Sequence, residues 1–402
     1  MLDTNVLLVP YDTSKESLNQ IRQTYATLVA EKRLIIPGQV AREFAKNRAN
    51  KLRKLYQQLS RKRNVGQLQK GRYPLLESLD EYQQTVSLEK SIDDLLGEYQ
   101  EAIGKVLDRI REWNWNDPVS LLYGELFAED MILDPPIDEA RVKSELARRQ
   151  LHKIPPSYKD SAKDDSGVGD LLIWFTILTI GETYKKSVIF VSGEEKADWW
   201  YRSENQPLYP RYELVDEFRR YSEGQSFHII EFSHFLDLYG ASESVVAEVR
   251  QEERQIRAEQ ASIRQQAFKA AEAVFEWLRM TYPDREIVRN EPHFPDFIIV
   301  NPEGIGTGVE IKFFRHRIPV PRLRATAHRG YYEVDKGELD DFIVVIVSDD
   351  EALVDELTFG PGRKMLPEIS NVSYIVGPLT PSGKFYRTLE LRDGRVAYQA
   401  DF

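Results

Sequence analysis

Gly169-Asp170-Leu171-Leu172-Ile173-Trp174-Phe175 sets one acid at the edge of an almost wholly apolar run. Met1-Leu2-Asp3-Thr4-Asn5-Val6-Leu7 does the same near the start of the chain. The first stretch reads as a loop end opening a helix, the second as a strand running into a turn. Between them, Ile35-Ile36-Pro37-Gly38-Gln39-Val40-Ala41-Arg42-Glu43-Phe44 reads as a buried strand, a turn and a helix carrying Glu43. Three isolated carboxylates at element ends fit a metal-binding acidic cluster better than three unrelated surface charges. The bland alternative is capping, with Asp3 tying down a turn and Asp170 capping its helix.

Working outward, Val6-Leu7-Leu8-Val9 reads as a first buried strand closed by Pro10. Residues 14–32 carry Leu18, Ile21, Tyr25, Leu28 and Val29 at helical spacing, and Leu34-Ile35-Ile36 reads as a second strand. Strand, helix, strand is the crossover unit of a parallel α/β sheet. The helical pattern from about Val40 to Arg149 is too long for a sheet connection and reads as an insertion over about 42–150. A loop over 154–169 then delivers Asp170 to a helix Leu171–Tyr184, followed by a strand Ser187–Val191. A helix over 212–222 and a strand Phe227–Phe235 with a short helix complete a domain of residues 1–240. Residues 241–262 read as a charged helical linker. The apolar positions Phe268, Ala271, Val274, Phe275 and Leu278 then open a second domain, 263–402.

Composition bounds the chemistry. With 402 residues, 42% hydrophobic and 30% charged, the chain holds enough for two globular cores. No apolar run reaches the roughly 18 residues of a membrane span, and the N-terminus resembles no signal segment. The absence of cysteine rules out disulfides, thiolate zinc sites and cysteine nucleophiles, and sits easily with a cytoplasmic location. The six histidines have no metal-ligand spacing, so any metal is expected on carboxylates, which favours Mg²⁺ or Mn²⁺. The net charge of −11 argues against nucleic acid until its distribution is considered. From residue 42 to 72, eleven Lys and Arg face only Glu43. Arg42, Lys46, Arg48, Lys51, Arg53 and Lys54 are the candidate backbone contacts, with Asn5 as a ligand- or substrate-orienting group. The alternative is an ordinary solvated helix face. Trp113, Trp115 and Trp174 read as core rather than base-stacking platforms.

These residues resemble a PIN-type nuclease, specifically the larger PIN-like branch with a long helical insertion. Ile154-Pro155-Pro156-Ser157-Tyr158-Lys159-Asp160, Phe190-Val191-Ser192 and Asp198-Trp199-Trp200 match that branch in order, so the resemblance covers roughly the first 240 residues. It implies a metal-dependent nuclease acting on RNA, with Asp3, Glu43 and Asp170 as ligands. The fourth acid falls at Glu194, where the family tends to have aspartate two residues after the Ser or Thr. Asp198 is the other candidate, or else fixes its loop. Lys159 and Asp160 are either substrate contacts or a simple pair.

The second domain has its own pattern. Phe294–Val300 and Gly308–Phe313 read as a hairpin about Asn301-Pro302-Glu303-Gly304, which sets Asp296 opposite about residue 312. Period two puts Glu310 and Lys312 on one face. A basic segment Arg315–Arg329 and a buried strand Phe342–Val347 follow. Pro295-Asp296 and Glu310-Ile311-Lys312 resemble the PD-(D/E)xK core of restriction endonucleases, with Glu272 or Glu276 as a further acid. The resemblance implies a metal held by Asp296 and Glu310, Lys312 near the phosphate, and DNA as partner. A solvent-facing salt-bridged hairpin would carry the same letters. The expected fold class is therefore α/β: a PIN-like parallel sheet with a helical insertion, then a restriction-endonuclease-like domain. Two nuclease-like domains suggest antiphage defence or a toxin. A homo-oligomer is a further expectation, and with no GxxxxGK[ST] loop any ATP dependence must come from a partner ATPase or sensor. One domain serving as a nucleic-acid sensor, or a non-catalytic scaffold, are the alternatives.

Overall fold

The computed structural model describes residues 1–64, 66, 71–158, 167–193, 195–204, 206–290, 294–302, 304–315, 318–392 and 394–400. They form two compact units, one over residues 1–158 and 167–254, the other starting at 255. No described helix is long and apolar enough to cross a membrane.

In the first unit Leu2 bridges in parallel to Val191, and the chain turns at once into helix α1 (Thr4–Leu8). The strand expected at Val6–Val9 is thus largely a helix. Asp3 causes the switch: its Oδ1 accepts the Thr4 N–H at 2.6 Å, and its carbonyl accepts the Leu7 N–H at 3.2 Å. A capped start favours helix, and Val6, Leu7 and Val9 are buried all the same. A short apolar run does not distinguish the two conformations by periodicity. Helix α2 (Lys15–Ala30), capped by Ser14, buries Ile21, Tyr25 and Leu28.

Strand β1 (Ile36–Pro37) pairs in parallel with β2 (Ile132–Leu133). Its partner therefore comes from within the expected insertion. Helix α3 (Gly38–Arg63) and helix α4 (Asp80–Arg111) form an antiparallel pair, with Arg63 beside Gly104 and Arg111 bonded to the Tyr56 hydroxyl. Helix α5 (Pro118–Leu126) precedes β2, and α6 (Glu139–His152) follows it. Helix α7 (Val168–Tyr184) buries Leu171, Ile173, Trp174, Ile177, Leu178 and Ile180 around its whole circumference, which makes it the central helix of this unit.

Strand β3 (Val188–Val191) pairs in parallel with β6 (Phe227–Ile230). Between them come a hairpin, β4 (Trp200–Ser203) with β5 (Gln206–Pro210), and helix α8 (Tyr212–Tyr221). Gly181 brings α7 against α8, since a Cβ there would stand 2.7 Å from the Phe218 ring. Helix α9 (Phe232–Leu238) leads to α10 (Glu243–Thr281). The start of α10 is not an idle connector. Val245, Val246 and Val249 lie in the first core, and Glu253 accepts the N–H groups of Phe232 and Ser233. Burial raises that carboxyl above its usual range.

The second unit is a seven-stranded mixed sheet in the order β13-β12-β11-β10-β9-β8-β7. Its strands are β7 (Ile287–Arg289), β8 (Phe297–Ile299), β9 (Thr307–Phe313), β10 (Asp341–Ser348), β11 (Val372–Pro378), β12 (Leu389–Arg392) and β13 (Arg395–Gln399). The three middle strands β9, β10 and β11 are parallel, joined by α11 (Val320–Asp335) and α12 (Glu351–Thr358). Alternation sorts the sheet's two faces. Phe342, Val344 and Ile346 pack with Leu323, Ala327, Leu353 and Val354. Val345 and Val347 pack with Ala270, Val274 and Leu278 of α10. The hairpin ladder pairs Phe297 with Val309 and Ile299 with Thr307, so its continuation sets Asp296 beside Glu310 rather than residue 312. The shift is even and keeps every side chain on its expected face.

Candidate active site

Asp3 sits where the first strand ends and α1 begins. Its Oδ2 accepts the Asn5 amide N–H at 2.9 Å and the Ser192 hydroxyl. Asn5 is spent inside the protein, since its Oδ1 also accepts the Gly193 N–H at 3.1 Å. It orients Asp3 and the strand end after β3 rather than reaching out to a nucleic acid. Glu43, one turn into α3, accepts from the Thr4 hydroxyl at 2.8 Å and the Gln39 amide at 2.9 Å. Thr4 thus joins the two acids' surroundings. Asp170 lies in the first turn of α7, where the helix dipole favours an anion, behind Gly167 as N-cap. Its Oδ2 takes a hydrogen bond from Lys196 Nζ at 2.7 Å.

The segment after β3 serves Asp3 and Asp170, whereas Glu43 takes its bonds from Thr4 and Gln39. Ser192 and Gly193 hold Asp3 and Asn5, and four residues later Lys196 holds Asp170. Its far end is anchored in the core. Trp199 is buried against Phe190 and Trp174 at 5.6 and 6.0 Å, and its N–H bonds back to the Lys196 carbonyl. Asp198, fully buried, accepts the Ser157 N–H at 3.0 Å, so it fastens the loop. Glu194, Lys159 and Asp160 lie outside the described residues.

Sequence reading overlooked Lys196 and a deeper anchor. Arg149 is buried, paired with Glu145 at 2.8 Å and Glu217 at 2.5 Å, and donates to the Pro155 carbonyl. Trp174 Nε1 donates to the same Glu217 at 2.8 Å. Together they tie α6, α7 and α8 to the start of the Pro-Pro loop. The signal was present: Val142, Leu146 and Arg149 fall at i, i+4 and i+7, one buried helical stripe.

The basic helix is less basic than its count. Arg48 is buried, with its guanidinium on Asp117 at 2.6 and 2.9 Å, on Ser120 at 2.8 Å and over the Trp115 ring at 4.4 Å. That is a structural cation, and the expectation that it meets nucleic acid is withdrawn. Burial works to raise the Asp117 carboxyl, but bonds from Ser120, Arg48 and Tyr11 outweigh it and hold it below the usual range. Arg42 pairs with Asp134 at 2.9 Å, Lys51 pairs with Asp12, and Arg53 bonds Asn50. Lys46 and Lys54 are exposed. The fold supplies acids from elsewhere in the chain, which a local count leaves out.

The profile of the family described as PIN like domain matches residues 1–214. The chain belongs to the PIN-like domain family. Neither a curated protein nor a solved structure matches it. A PIN-like domain points to a nuclease in general, and such domains generally use divalent metals such as Mg²⁺ or Mn²⁺. The side-chain ligand atoms that Asp3, Glu43 and Asp170 of this PIN-like domain could offer are all carboxylate oxygens, which suit a hard cation in kind. The Lys196 ammonium on Asp170 likewise marks a place where positive charge is held. Among the described residues, however, no three His, Asp or Glu side chains stand in a closed metal-holding group.

Beyond the PIN-like domain, the second unit brings Asp296, Glu310 and Lys312 together. Glu310 Oε1 accepts from Lys312 Nζ at 2.7 Å and its Oε2 from the Asp296 N–H at 3.1 Å. Asp296 Oδ2 accepts the Ile311 N–H at 2.8 Å. Glu310 and Lys312 are both buried. Glu272 pairs with Arg289 at 2.6 Å and Glu276 with Arg279 at 3.7 Å.

Proposed function

We propose that this chain is a divalent-metal-dependent nuclease whose PIN-like domain cleaves RNA through Asp3, Glu43 and Asp170, with Glu194 as a fourth acid. The observation that carries the reading is the segment 192–198, which grips Asp3 at one end and Asp170 at the other. Mg²⁺ or Mn²⁺ held by these carboxylates would supply an activated water and neutralise charge developing on phosphorus. Asn5, Ser192 and Thr4 hold the acids in fixed orientation, and Lys196 brings a cation beside Asp170 for the phosphate. Lys46, Arg53 and Lys54 would carry the RNA backbone.

The second unit would act on or dock to DNA through Asp296, Glu310 and Lys312, as a PD-(D/E)xK site. Support comes from their convergence at one hairpin and from the arginines Arg322, Arg324 and Arg329 that the next helix in the chain, α11, carries. Two such activities in one chain fit a cytoplasmic role in antiphage defence or as a toxin, released by a signal or by a partner ATPase or sensor.

The test is cleavage of labelled single-stranded RNA and double-stranded DNA with Mn²⁺, Mg²⁺ or EDTA. Wild type, Asp170→Asn and Lys312→Ala are compared. RNA loss abolished only by Asp170→Asn, and DNA loss abolished only by Lys312→Ala, is the expected result. Cleavage of neither substrate by the wild type would point to a binding scaffold instead.

A further inference from the structure

Helix α4 carries two apolar stripes, not one. Ile103, Leu107 and Ile110 are buried, and Ile110 lines an apolar recess with Leu55 and Leu59 of α3. The second stripe is Leu88, Ile92, Leu95 and Tyr99, ending at Val106, which also lines that recess, each between 42 and 64% exposed. Its steps of four, three, four and seven residues are the 3.5-residue period of a coiled-coil seam. The antiparallel partner α3 ends beside Gly104, so residues 80–103, about 36 Å of helix, run on past it. Large aliphatic side chains in a row on such a projection mark an interaction surface.

We propose that α4 is a dimerisation helix, pairing two copies of this chain in parallel through Leu88, Ile92, Leu95, Tyr99 and Val106. The residue types select this occupant. Thr85, Ile92 and Val106 take one core position of the heptad and Leu88 and Leu95 the other. β-branched residues at the first and leucine at the second favour two parallel strands. Tyr99 is the exception and pairs with its own copy. The area agrees: five such side chains and their flanks expose roughly 600–800 Å² per copy, close to the ~800 Å² per partner of a standard interface. Glu89, Asp93, Asp94, Glu98 and Glu101 border the stripe, so a nucleic acid would be repelled from it. A second copy meets an identical surface, as a two-fold interface requires.

The whole 402-residue chain tests this, because it has no cysteine. Sedimentation at ~10 µM should show a dimer for the wild type. Leu95→Asp, at an exposed position, should weaken it by on the order of 100-fold while leaving the helical circular dichroism and Tm unchanged. Leu88→Cys should form a disulfide-linked dimer under mild oxidation, since parallel pairing sets residue 88 against itself. An antiparallel pair would set it against the far end of the stripe, more than about 15 Å from its copy, and give no such link. A monomeric wild type, a Leu95→Asp variant that stays dimeric, or a dimer without the Leu88→Cys link would overturn the proposal.

Discussion

The candidate acids of the two units are held in different ways. In the second unit Asp296 and Ile311 touch across 15 residues of chain, within one hairpin. In the first, Ser192 reaches Asp3 across 189 residues, and Glu43 and Asp170 arrive on two further helices. In the hairpin cluster Glu310 takes the Lys312 ammonium and the Asp296 N–H, the Asp296 carboxylate takes the Ile311 N–H, and Glu310 and Lys312 are buried. Among the described residues, Asp3 and Glu43 take bonds from the neutral groups of Thr4, Asn5, Gln39 and Ser192, and Asp170 takes one from the Lys196 ammonium. Local pairing makes a compact group in which one ammonium sits on one of two carboxylates. Long-range assembly makes one whose geometry depends on every element that feeds it.

The largest effect separates the clusters by activity. Asp170→Asn should reduce RNA cleavage by on the order of 10³-fold with DNA cleavage unchanged, measured as single-turnover rates. Equal losses on both substrates would mean the clusters do not work independently.

The next prediction concerns the frame of the first cluster. Asp117→Asn breaks the buried pair with Arg48 and should cost about 3 kcal/mol at neutral pH. The folded Asp117 carboxyl lies below its unfolded value of 3.8. Its stabilisation is therefore present above that value and is lost as pH falls through the folded one. Denaturant curves for wild type and variant should draw together as pH falls from about 3.8 and converge below the folded value. A gap of constant size down to pH 2 would show that the pair's charge contributes nothing.

A smaller effect addresses the contrast in neutralisation. Lys196→Met removes the cation on Asp170 and should tighten Mn²⁺ binding by about 3- to 10-fold while slowing cleavage. Titration calorimetry reads the first, and Asp170→Asn serves as the binding-deficient control. If Asp170→Asn loses Mn²⁺ binding but Lys196→Met leaves it unaltered, Lys196 does not compete with metal.

The smallest concerns the basic face of α3. Alanine at Lys46, Arg53 or Lys54 should weaken RNA binding about 2- to 3-fold each and lower the salt slope by roughly 0.7 per lost phosphate contact. Arg48→Ala should instead appear as instability. An unchanged slope in all three would take the RNA off this helix.

Much of the second cluster was legible, because a turn and a two-residue period place Asp296, Glu310 and Lys312 on one face whatever the rest of the chain does. Its register was misjudged by two residues, a slip that strand alternation forgives. The apolar run of α7 and the stripes of α2 and α10 were equally readable, since burial follows directly from period. The first strand was not, because Val6–Val9 is buried in either conformation and only the Asp3 cap decides for helix. Nor was the pairing of Ile36–Pro37 with Ile132–Leu133, which depends on where a distant segment returns. Charge was the least readable. Arg48 and Arg149 look like surface residues until the fold brings Asp117 and Glu217 to them. Lys196 meets Asp170 only in the folded chain, where Trp199 fixes its loop to the core. The sequence by itself determined the family, the helices and the kinds of acids available. Which charges meet, and which are neutralised, belonged to the tertiary structure, because Coulomb energy depends on distance in space and on burial, neither of which is local in the chain.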